Sequence, residues 1–255
     1  MSDNWNPAQY EKFKAQRAKP FFDLLSLIHA ASFGTAVDLG CGTGELTRVL
    51  FDTLRPDHLL GVDTSPEMLA KSDAFRTGGL TFSQQDIASY QAEAPLDLLF
   101  SNAALHWLPD HASLFPRLMS YVAGGGQLAI QMPYNFDHPS HVVAQRTALD
   151  LFPHAFNADH PLSGTLKLET YAEMLFKHGF AEQVCRVEVY AHPMQSGEDV
   201  VEWTKGSLLT AYQQRLSADE FRIFLAEYRR ALLAEIGTGP YFYAFKRILL
   251  WGRKS

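Results

Sequence analysis

Three glycines spaced two residues apart, Gly40, Gly42 and Gly44, follow directly after a short apolar segment that ends at Leu39, and a helical pattern begins at Glu45. The apolar segment is typical of a buried parallel strand, so this order predicts a strand, a turn of bare backbone and a helix. Because glycine has no Cβ, such a turn can bend sharply and lets a ligand approach the main chain closely. The pattern indicates a site for a nucleotide-type cofactor, and the alternative is that the glycines only close a tight turn.

Acidic residues stand where three successive strands are expected to end. Asp38 precedes the first glycine by two residues, and Asp63 follows a second apolar segment, 25 residues further along. In a βαβ unit, Asp63 is placed to bind the two hydroxyls of a ribose. Asp86 follows a third predicted strand and could accept the amino group of an adenine, or it could be a solvated loop residue. The sheet edge formed by these strand ends is where parallel sheets bind ligands.

The glycine spacing differs from that of a dinucleotide site. The dinucleotide pattern G-x-G-x-x-G would need glycine at position 45, where this chain has Glu45. A negative charge at Asp38 would be poorly placed beside a pyrophosphate but well placed near the ammonium of an amino-acid group. The residues therefore favour a cofactor that carries an ammonium.

Polar and aromatic residues also follow the fourth predicted strand, residues 96–102. Asn102 ends that strand, and His106 and Trp107 lie in the loop after it. His106 could donate a hydrogen bond to a carboxylate, or act as a base if the acceptor were a hydroxyl or an amine. Trp107 could form a wall of the pocket or belong to the core.

Apolar segments alternate with helical patterns over the first half of the chain, which predicts a doubly wound parallel sheet in an α/β fold. The predicted strands are residues 36–39, 58–62, 80–83, 96–102 and 127–132. The predicted helices between them are residues 45–54, a helix capped by Ser65, and residues 112–122. Beyond Pro133 we expect a helix at 171–180, a strand at 182–192, helices at 197–216 and 217–236, and a strand at 241–251.

Residues 5–32 show apolar side chains at helical spacing, which predicts helix. Pro20 interrupts the pattern, so we expect two helices or a kink there. Tyr10 and Phe13 could pack on the sheet. Alternatively this segment is a lid over the cofactor, with Arg17 reaching a carboxylate.

The composition limits the function classes. The 255 residues are 47% hydrophobic and 20% charged, the formal net charge is −6, and the 22 lysines and arginines are scattered. This charge pattern argues against a nucleic-acid substrate. No apolar segment is long enough to span a membrane and the first residues lack a signal pattern, so we expect a cytoplasmic protein.

The histidines and cysteines predict neither a metal site nor a disulfide. His138 and His141 have the spacing H-x-x-H without an acidic third ligand, so we expect no metal. Cys41 lies inside the glycine turn and Cys185 in an alternating strand pattern. We interpret both cysteines as small packed residues.

The pattern D-x-G-x-G-x-G that begins at Asp38 resembles motif I of class I S-adenosylmethionine-dependent methyltransferases. Over most of residues 3–146 the chain resembles the trans-aconitate 2-methyltransferase family. The segments that carry the resemblance are residues 3–10 with Phe13, Arg17 and Pro20, residues 102–111, and residues 131–133 with Arg146.

The resemblance implies S-adenosyl-L-methionine as the cofactor and a Rossmann-like, mostly parallel sheet of seven strands in a single domain. Residues 1–34 would form a helical lid, 35–133 the cofactor-binding half, and 134–255 the substrate-side half with a helical cap. The expected cofactor-binding residues are Tyr10, Arg17, Asp38, Gly40, Cys41, Gly42, Gly44, Asp63, Thr64, Met68, Asp86, Ile87 and Asn102.

The resemblance also implies a small carboxylic acid as the methyl acceptor. Asn102 and His106 are the expected catalytic residues. The expected substrate-binding residues are Trp107, Tyr134, Arg146, Trp203 and Arg247. Arginine binds carboxylates through two hydrogen bonds, although each arginine could equally form a surface ion pair.

Two other functions remain open at this point: a malonyl-carrier-protein carboxyl methyltransferase, and a non-catalytic S-adenosylmethionine-binding protein. The family's arginine–proline pair after the tryptophan is replaced here by Thr210-Ala211, which leaves the identity of the acid open.

Overall fold

The computed structural model describes residues 14–29, 32–157 and 164–255, with side chains in the first helix from Ala18 onward. The helices are α1 (Lys14–Leu25), α2 (Glu45–Leu54), α3 (Pro66–Ser72), α4 (His111–Ser120), α5 (Pro139–Leu151), α6 (Leu168–Lys177), α7 (Gly197–Lys205), α8 (Thr210–Gln213) and α9 (Ala218–Ile236). The strands are β1 (Thr35–Leu39), β2 (His58–Asp63), β3 (Leu80–Gln84), β4 (Leu96–Asn102), β5 (Val122–Pro133), β6 (Phe180–Met194) and β7 (Tyr241–Lys254).

The strands form one seven-stranded sheet in the order β3-β2-β1-β4-β5-β7-β6. β1 to β5 pair in parallel, and β7 runs antiparallel to β5 with Pro133 opposite Arg247. The predicted doubly wound, mostly parallel sheet is confirmed. The strand order reverses between β1 and β4, so the carboxyl ends of these two strands flank the position where such sheets bind ligands.

Two of the predicted helices begin with capping hydrogen bonds, and the one at Ser65 was expected from the sequence. The Ser65 hydroxyl accepts a hydrogen bond from the backbone N–H of Met68, with Pro66 in the first turn of α3. Ser217 and Glu220 form a capping box at the start of α9.

Several boundaries differ from the predictions. β5 begins at Val122 rather than at residue 127, because the glycines at 124–126 lie within an irregular part of the strand where Gly125 has φ +79° and the register with β4 shifts. Helix α5 was not predicted from its sequence, which begins with His138 as N-cap and Pro139. The helix predicted at 197–216 is split into α7 and α8 around Gly206.

Pro20 lies inside α1, which is continuous from Lys14 to Leu25, so of the two expected alternatives, two helices or a kink, the separation into two helices is not found. From Ala18 onward α1 packs by its apolar side chains. Phe21 is fully buried and meets Phe100 of β4 edge to face, with ring centroids 5.5 Å apart. This contact places α1 against one face of the sheet.

The described residues divide into two compact units, each with its own core. One unit contains residues 134–157 and 189–246, and its core is built around the buried aromatic residues Trp203, Tyr212, Phe224, Tyr228 and Tyr243. The other contains residues 17–29, 32–133, 164–188 and 247–255, and its core includes Phe21, Leu50, Phe100, Leu249 and Trp251. None of the described helices is both long enough and apolar enough to cross a membrane.

Candidate functional site

The glycine turn after β1 is closed by its own backbone. The N–H groups of Gly40 and Cys41 both donate to the Val62 carbonyl, and that of Gly44 donates to Cys41. The N–H of Gly42 donates to Oδ2 of Asp63 at 2.9 Å. Because these four donors already have protein acceptors, they are not available to a pyrophosphate, which distinguishes this turn from a phosphate-binding loop.

The three glycines are required for different reasons, although all have positive φ (+85°, +55° and +77°). A Cβ on Gly40 would lie 2.1 Å from the Cβ of Ala104, and one on Gly44 would lie 2.8 Å from Phe82 and Ser72. A Cβ on Gly42 would have no neighbour within 4 Å. Close packing therefore explains Gly40 and Gly44, and the open backbone expected beside a ligand is found at Gly42.

Asp63, at the end of β2, is held by two backbone donors. Its Oδ2 accepts from Gly42 and its Oδ1 accepts from the N–H of Ser65 at 2.9 Å. The side chain is half-buried, and each oxygen has a second lone pair to offer to a ligand. These two hydrogen bonds fix the orientation of the carboxylate.

Asp38 is buried, with 4% of its surface exposed, and its Oδ2 accepts a 2.6 Å hydrogen bond from the Thr47 hydroxyl in α2. Burial raises the pKa of Asp38 to about 7, the Thr47 hydrogen bond acts in the opposite direction, and the negative Asp63 raises it further. The sequence pattern predicts a negative charge at Asp38, but with this pKa the carboxyl is partly protonated at neutral pH. A ligand cation beside it would lower this pKa and favour the carboxylate.

The other expected cofactor residues lie around the same edge. Asp86 is exposed, and its Oδ1 accepts from the N–H of Ala88, as in an Asx turn. Ile87 is buried, Met68 is half-buried at the start of α3, and Thr64 is exposed. Tyr10 and the side chain of Arg17 lie outside the described residues. Burial raises the pKa of the Cys41 thiol, so the thiol stays protonated.

The chain leaves β4 through a strained turn. Ala103 has φ +54°, a conformation that non-glycine residues rarely adopt. Its N–H donates to the carbonyl of Gln131 in β5 at 2.9 Å, while Ala104 packs against Gly40. The turn thus contacts both β5 and the glycine turn, directly after Asn102.

His106 and Trp107 follow in a short 3₁₀ helix, Leu105–Trp107. Their rings lie 4.5 Å apart at an angle of 40°, and 49% of the Trp107 side chain is exposed. His106 is half-buried. Both residues therefore lie one turn beyond Asn102 at the carboxyl end of β4.

Asn102, Gln131 and Arg247 lie on the same face and at the same edge of the sheet. Asn102 is in register with Gln131, Gln131 with Leu249, and Arg247 lies two residues before Leu249. Since side chains alternate along a strand, all three project to the face that carries Phe100, Ala129 and Leu249. Arg247 is buried, with 7% of its surface exposed. Gln131 was not among the expected site residues, although a glutamine within the apolar strand segment 128–132 is a recognisable signal.

The remaining expected substrate residues lie in the unit formed by residues 134–157 and 189–246. Arg146 is on the exposed side of α5, 3.9 Å from Glu235 of α9, which favours the surface ion pair over acid binding. Trp203 is 2% exposed and packs against His192 with ring centroids 4.7 Å apart, so its side chain is part of the core. Tyr134 is half-buried, and its N–H donates to the carbonyl of Lys246.

His138 and His141 flank Ser140 at the start of α5. Both imidazoles contact the Ser140 hydroxyl, at 2.9 and 3.1 Å, and the other ring nitrogen of His138 contacts the Tyr241 hydroxyl. Burial lowers the pKa of His138 to about 4 and that of His141 to about 3, so both are neutral near pH 7. Within the described ranges, no three metal-binding side chains come together.

The described residues at the edge of β1 and β2 fit S-adenosylmethionine better than a dinucleotide. The turn has open backbone at Gly42, its N–H groups are already bonded, and the carboxyl groups of Asp38 and Asp63 lie beside it. S-adenosylmethionine carries an ammonium and a ribose but no phosphate.

Comparison with known proteins gives one family. The model of a methyltransferase domain matches residues 37–130. The chain is 40% identical to the trans-aconitate 2-methyltransferase of Deinococcus radiodurans over 96% of each chain. It is 37% identical to that of Methylobacterium nodulans over 100% of each chain.

A solved structure shares the fold. The phosphoethanolamine N-methyltransferase 2 of Haemonchus contortus, in complex with S-adenosyl-L-methionine, has a TM-score of 0.54 and 18% sequence identity. The alignment covers 92% of this chain and 52% of the Haemonchus protein, so this chain spans about half the length of that enzyme.

Proposed function

We propose that this chain, which belongs to the trans-aconitate 2-methyltransferase family, methylates a carboxylate of a small polycarboxylic acid, with trans-aconitate as the acceptor and a monomethyl ester as the product. The chain is an S-adenosylmethionine-dependent methyltransferase. A small acid rather than a nucleic acid as substrate, and a cytoplasmic location, are parts of the proposal. The observation that carries the proposed acceptor is the full-length match to relatives of this name.

The residues of β1, β2 and the turns after them would hold the cofactor. Asp63, fixed by two backbone donors, would bind the ribose hydroxyls, and Asp38 would face the ammonium. The open backbone at Gly42 leaves room for the ligand chain. Asp86, Ile87 and Met68 would contact the adenine. Tyr10 and Arg17 stay predicted cofactor contacts.

The residues at the ends of β4, β5 and β7 would hold the acid. Arg247 supplies a buried guanidinium for a carboxylate, and Asn102 lies two strands away on the same sheet face. His106 would donate a hydrogen bond to the acid, with Trp107 beside it as a wall. Tyr134 stays a predicted substrate contact.

The reaction needs orientation rather than proton transfer. S-adenosylmethionine supplies a methyl group on a sulfonium, which an ionised carboxylate oxygen can take directly, with the thioether as leaving group. A carboxyl group with an ordinary pKa near 4 is ionised at neutral pH, so no general base is required. The protein's contribution is to hold the carboxylate in line, within about 3–3.5 Å of the methyl carbon, and to exclude water.

The test is an acceptor screen with the full chain. The protein is incubated with methyl-labelled S-adenosylmethionine and a panel of di- and tricarboxylic acids, including cis- and trans-aconitate, and with malonyl carrier protein. We expect label in a base-labile ester of trans-aconitate. Label only in the carrier protein, or in no acid, would overturn the proposed acceptor.

Replacing Arg247 tests the acid site separately, and Arg253 provides a matched control. Arg253 lies on the same strand and face but at the opposite edge, where it is half-exposed and paired with Glu182. Arg247→Ala should raise the acceptor KM roughly 10- to 100-fold through loss of a charge-assisted contact, with little change in cofactor affinity. Arg253→Ala should leave both unchanged. Weaker cofactor binding by Arg247→Ala would assign this arginine to the cofactor instead.

A further inference from the structure

We propose that Gln131 binds the acceptor acid, with its side-chain amide donating a hydrogen bond to a carboxylate held between Asn102 and Arg247. The inference deepens the proposed function and rests on it.

Gln131 is buried without a hydrogen-bond partner for its amide. The residue is 0% exposed, and neither Nε2 nor Oε1 has a partner among the residues that the structure describes. Buried side-chain amides in folded proteins are almost always hydrogen-bonded, because burying them unpaired costs free energy. Within the described residues the fold offers this amide no partner, and a bound ligand would supply the missing hydrogen bonds.

A second glutamine on the same strand shows what a structural amide looks like here. Gln127 lies four residues earlier on the same face of β5 and is 1% exposed. Its Oε1 accepts from the N–H of His29 at 3.0 Å and from Trp251 Nε1 at 2.8 Å, and its Nε2 donates to the His29 carbonyl at 2.9 Å. The Gln127 amide thus joins the segment after α1, β5 and β7, whereas the Gln131 amide has no hydrogen bond to any described residue.

The neighbours of Gln131 point to a ligand. On one side, Asn102 is its register partner, and the half-buried Asn102 also has an Oδ1 without a partner within the described ranges. On the other side, the next strand carries the buried cation Arg247 on the same face. Adjacent strands lie about 4.8 Å apart, and Arg247 is shifted along β7 by two residues, about 6.6 Å, from the register partner of Gln131. The backbone positions of Asn102 and Arg247 are therefore about 12 Å apart, with Gln131 between them, and the long Gln131 and Arg247 side chains can reach a small di- or tricarboxylate that lies among the three.

The position of these three side chains favours the acceptor over the cofactor. The cofactor-side carboxyl groups Asp38 and Asp63 are on β1 and β2, whereas Gln131 and Arg247 are on β5 and β7, beyond β4 in the sheet order. An amide N–H₂ is a donor that complements a carboxylate already attracted by a guanidinium. These side chains therefore suit an anion that lies over β5 and β7, on the other side of β4 from the cofactor residues.

The experiment compares Gln131→Leu with Gln127→Leu in the full chain. For each variant, three quantities are measured: the acceptor KM for trans-aconitate, the cofactor dissociation constant by calorimetry, and the melting temperature without ligands. For Gln131→Leu we expect the acceptor KM to rise roughly tenfold or more, with unchanged cofactor affinity. Its melting temperature should stay equal or increase, because an apolar side chain of similar shape removes an unpaired buried amide.

The control variant should behave in the opposite way. Gln127→Leu leaves the His29 backbone groups and the Trp251 N–H unpaired, so its melting temperature should fall while the acceptor KM stays unchanged. A fall in melting temperature for Gln131→Leu like that for Gln127→Leu would make Gln131 structural and overturn the inference. An unchanged acceptor KM, or a loss of cofactor affinity, would also overturn it.

Failure of the inference is distinguishable from failure of the proposed function. If the wild-type protein methylates trans-aconitate and Gln131→Leu does so with the same KM, only the inference fails. If the wild-type protein labels no acid, the proposed function fails and the acceptor assignment of Gln131 fails with it.

Discussion

The two halves of the sheet edge differ in how their polar side chains are satisfied. At the ends of β1 and β2, Asp38 and Asp63 are hydrogen-bonded by Thr47 and by backbone N–H groups of the turns around them. At the ends of β4 and β5, amide atoms of Asn102 and Gln131 have no partner in the described part of the chain. Groups anchored by the protein are already oriented before a ligand binds, so the first half is suited to one constant ligand. At the ends of β4 and β5, the bound acid would supply the missing hydrogen-bond partners.

The two halves meet where Ala104 packs on Gly40, and this contact should be the most sensitive point. Gly40→Ala combines a positive φ with a Cβ 2.1 Å from that of Ala104, so we expect it to lower the free energy of unfolding by about 2–5 kcal/mol. Gly42→Ala meets no atom within 4 Å and should lower it by about 1–2 kcal/mol, from backbone strain alone. Urea unfolding of both variants measures the difference, and equal losses would show that the close packing is unimportant.

At the ends of β1 and β2, Asp63→Ala should weaken S-adenosylmethionine binding by about 2–4 kcal/mol, because it removes two charge-assisted hydrogen bonds to the ribose. Asp86→Ala, which removes an exposed carboxylate, should weaken binding by only about 0.5–1.5 kcal/mol. Titration calorimetry compares the two. Unchanged affinity in Asp63→Ala would refute the ribose assignment. It would also remove the main support for placing the cofactor at the ends of β1 and β2.

The smallest of these effects is the pH dependence of cofactor binding. With the pKa of Asp38 raised to about 7, the carboxyl loses its charge as the pH falls below 7. Its attraction for the ammonium then weakens, so the dissociation constant should increase by up to about tenfold, or 1.4 kcal/mol, per pH unit below 7. Calorimetry between pH 5.5 and about 8 tests this. Asp38→Asn should bind weakly with a flat profile, and an equally steep profile in that variant would assign the titration to another group.

Asp38 affects unfolding with the opposite sign. Its pKa is higher in the folded protein than in an unfolded chain, so the folded state binds the proton more tightly between about pH 4 and 7. The unliganded protein should therefore gain stability from this residue in acid and lose it as the pH rises towards 7. Asp38→Asn should remove this component from the pH dependence of unfolding.

The sheet and the cofactor turn could be predicted from sequence because their signals are local. Apolar segments, glycines and a capping serine lie within a few residues of the features that they predict, and β4 and α2 have the predicted bounds. The acidic residues at the strand ends were found in the same way.

The rest depends on residues that are distant in sequence. The raised pKa of Asp38 arises from burial by the whole unit, and the surface position of Arg146 depends on how α5 packs. The difference between Gln127 and Gln131 depends on His29 and Trp251, which are about 100 residues away on either side of β5. Single-sequence patterns do not contain such pairings.

The left-handed turn at Ala103 links the end of β4 to both β5 and the glycine turn. Its N–H is tied to β5 through the Gln131 carbonyl, and the next methyl group rests on Gly40. If Asn102 shifted on binding an acid, the shift would therefore reach the glycine turn through Ala103 and Ala104. If the bound acid changes the affinity for S-adenosylmethionine by some factor, then bound S-adenosylmethionine must change the affinity for the acid by the same factor. Separate measurements of the affinities for S-adenosylmethionine and for the acid would miss this coupling. Titration of each ligand in the presence of the other would reveal it.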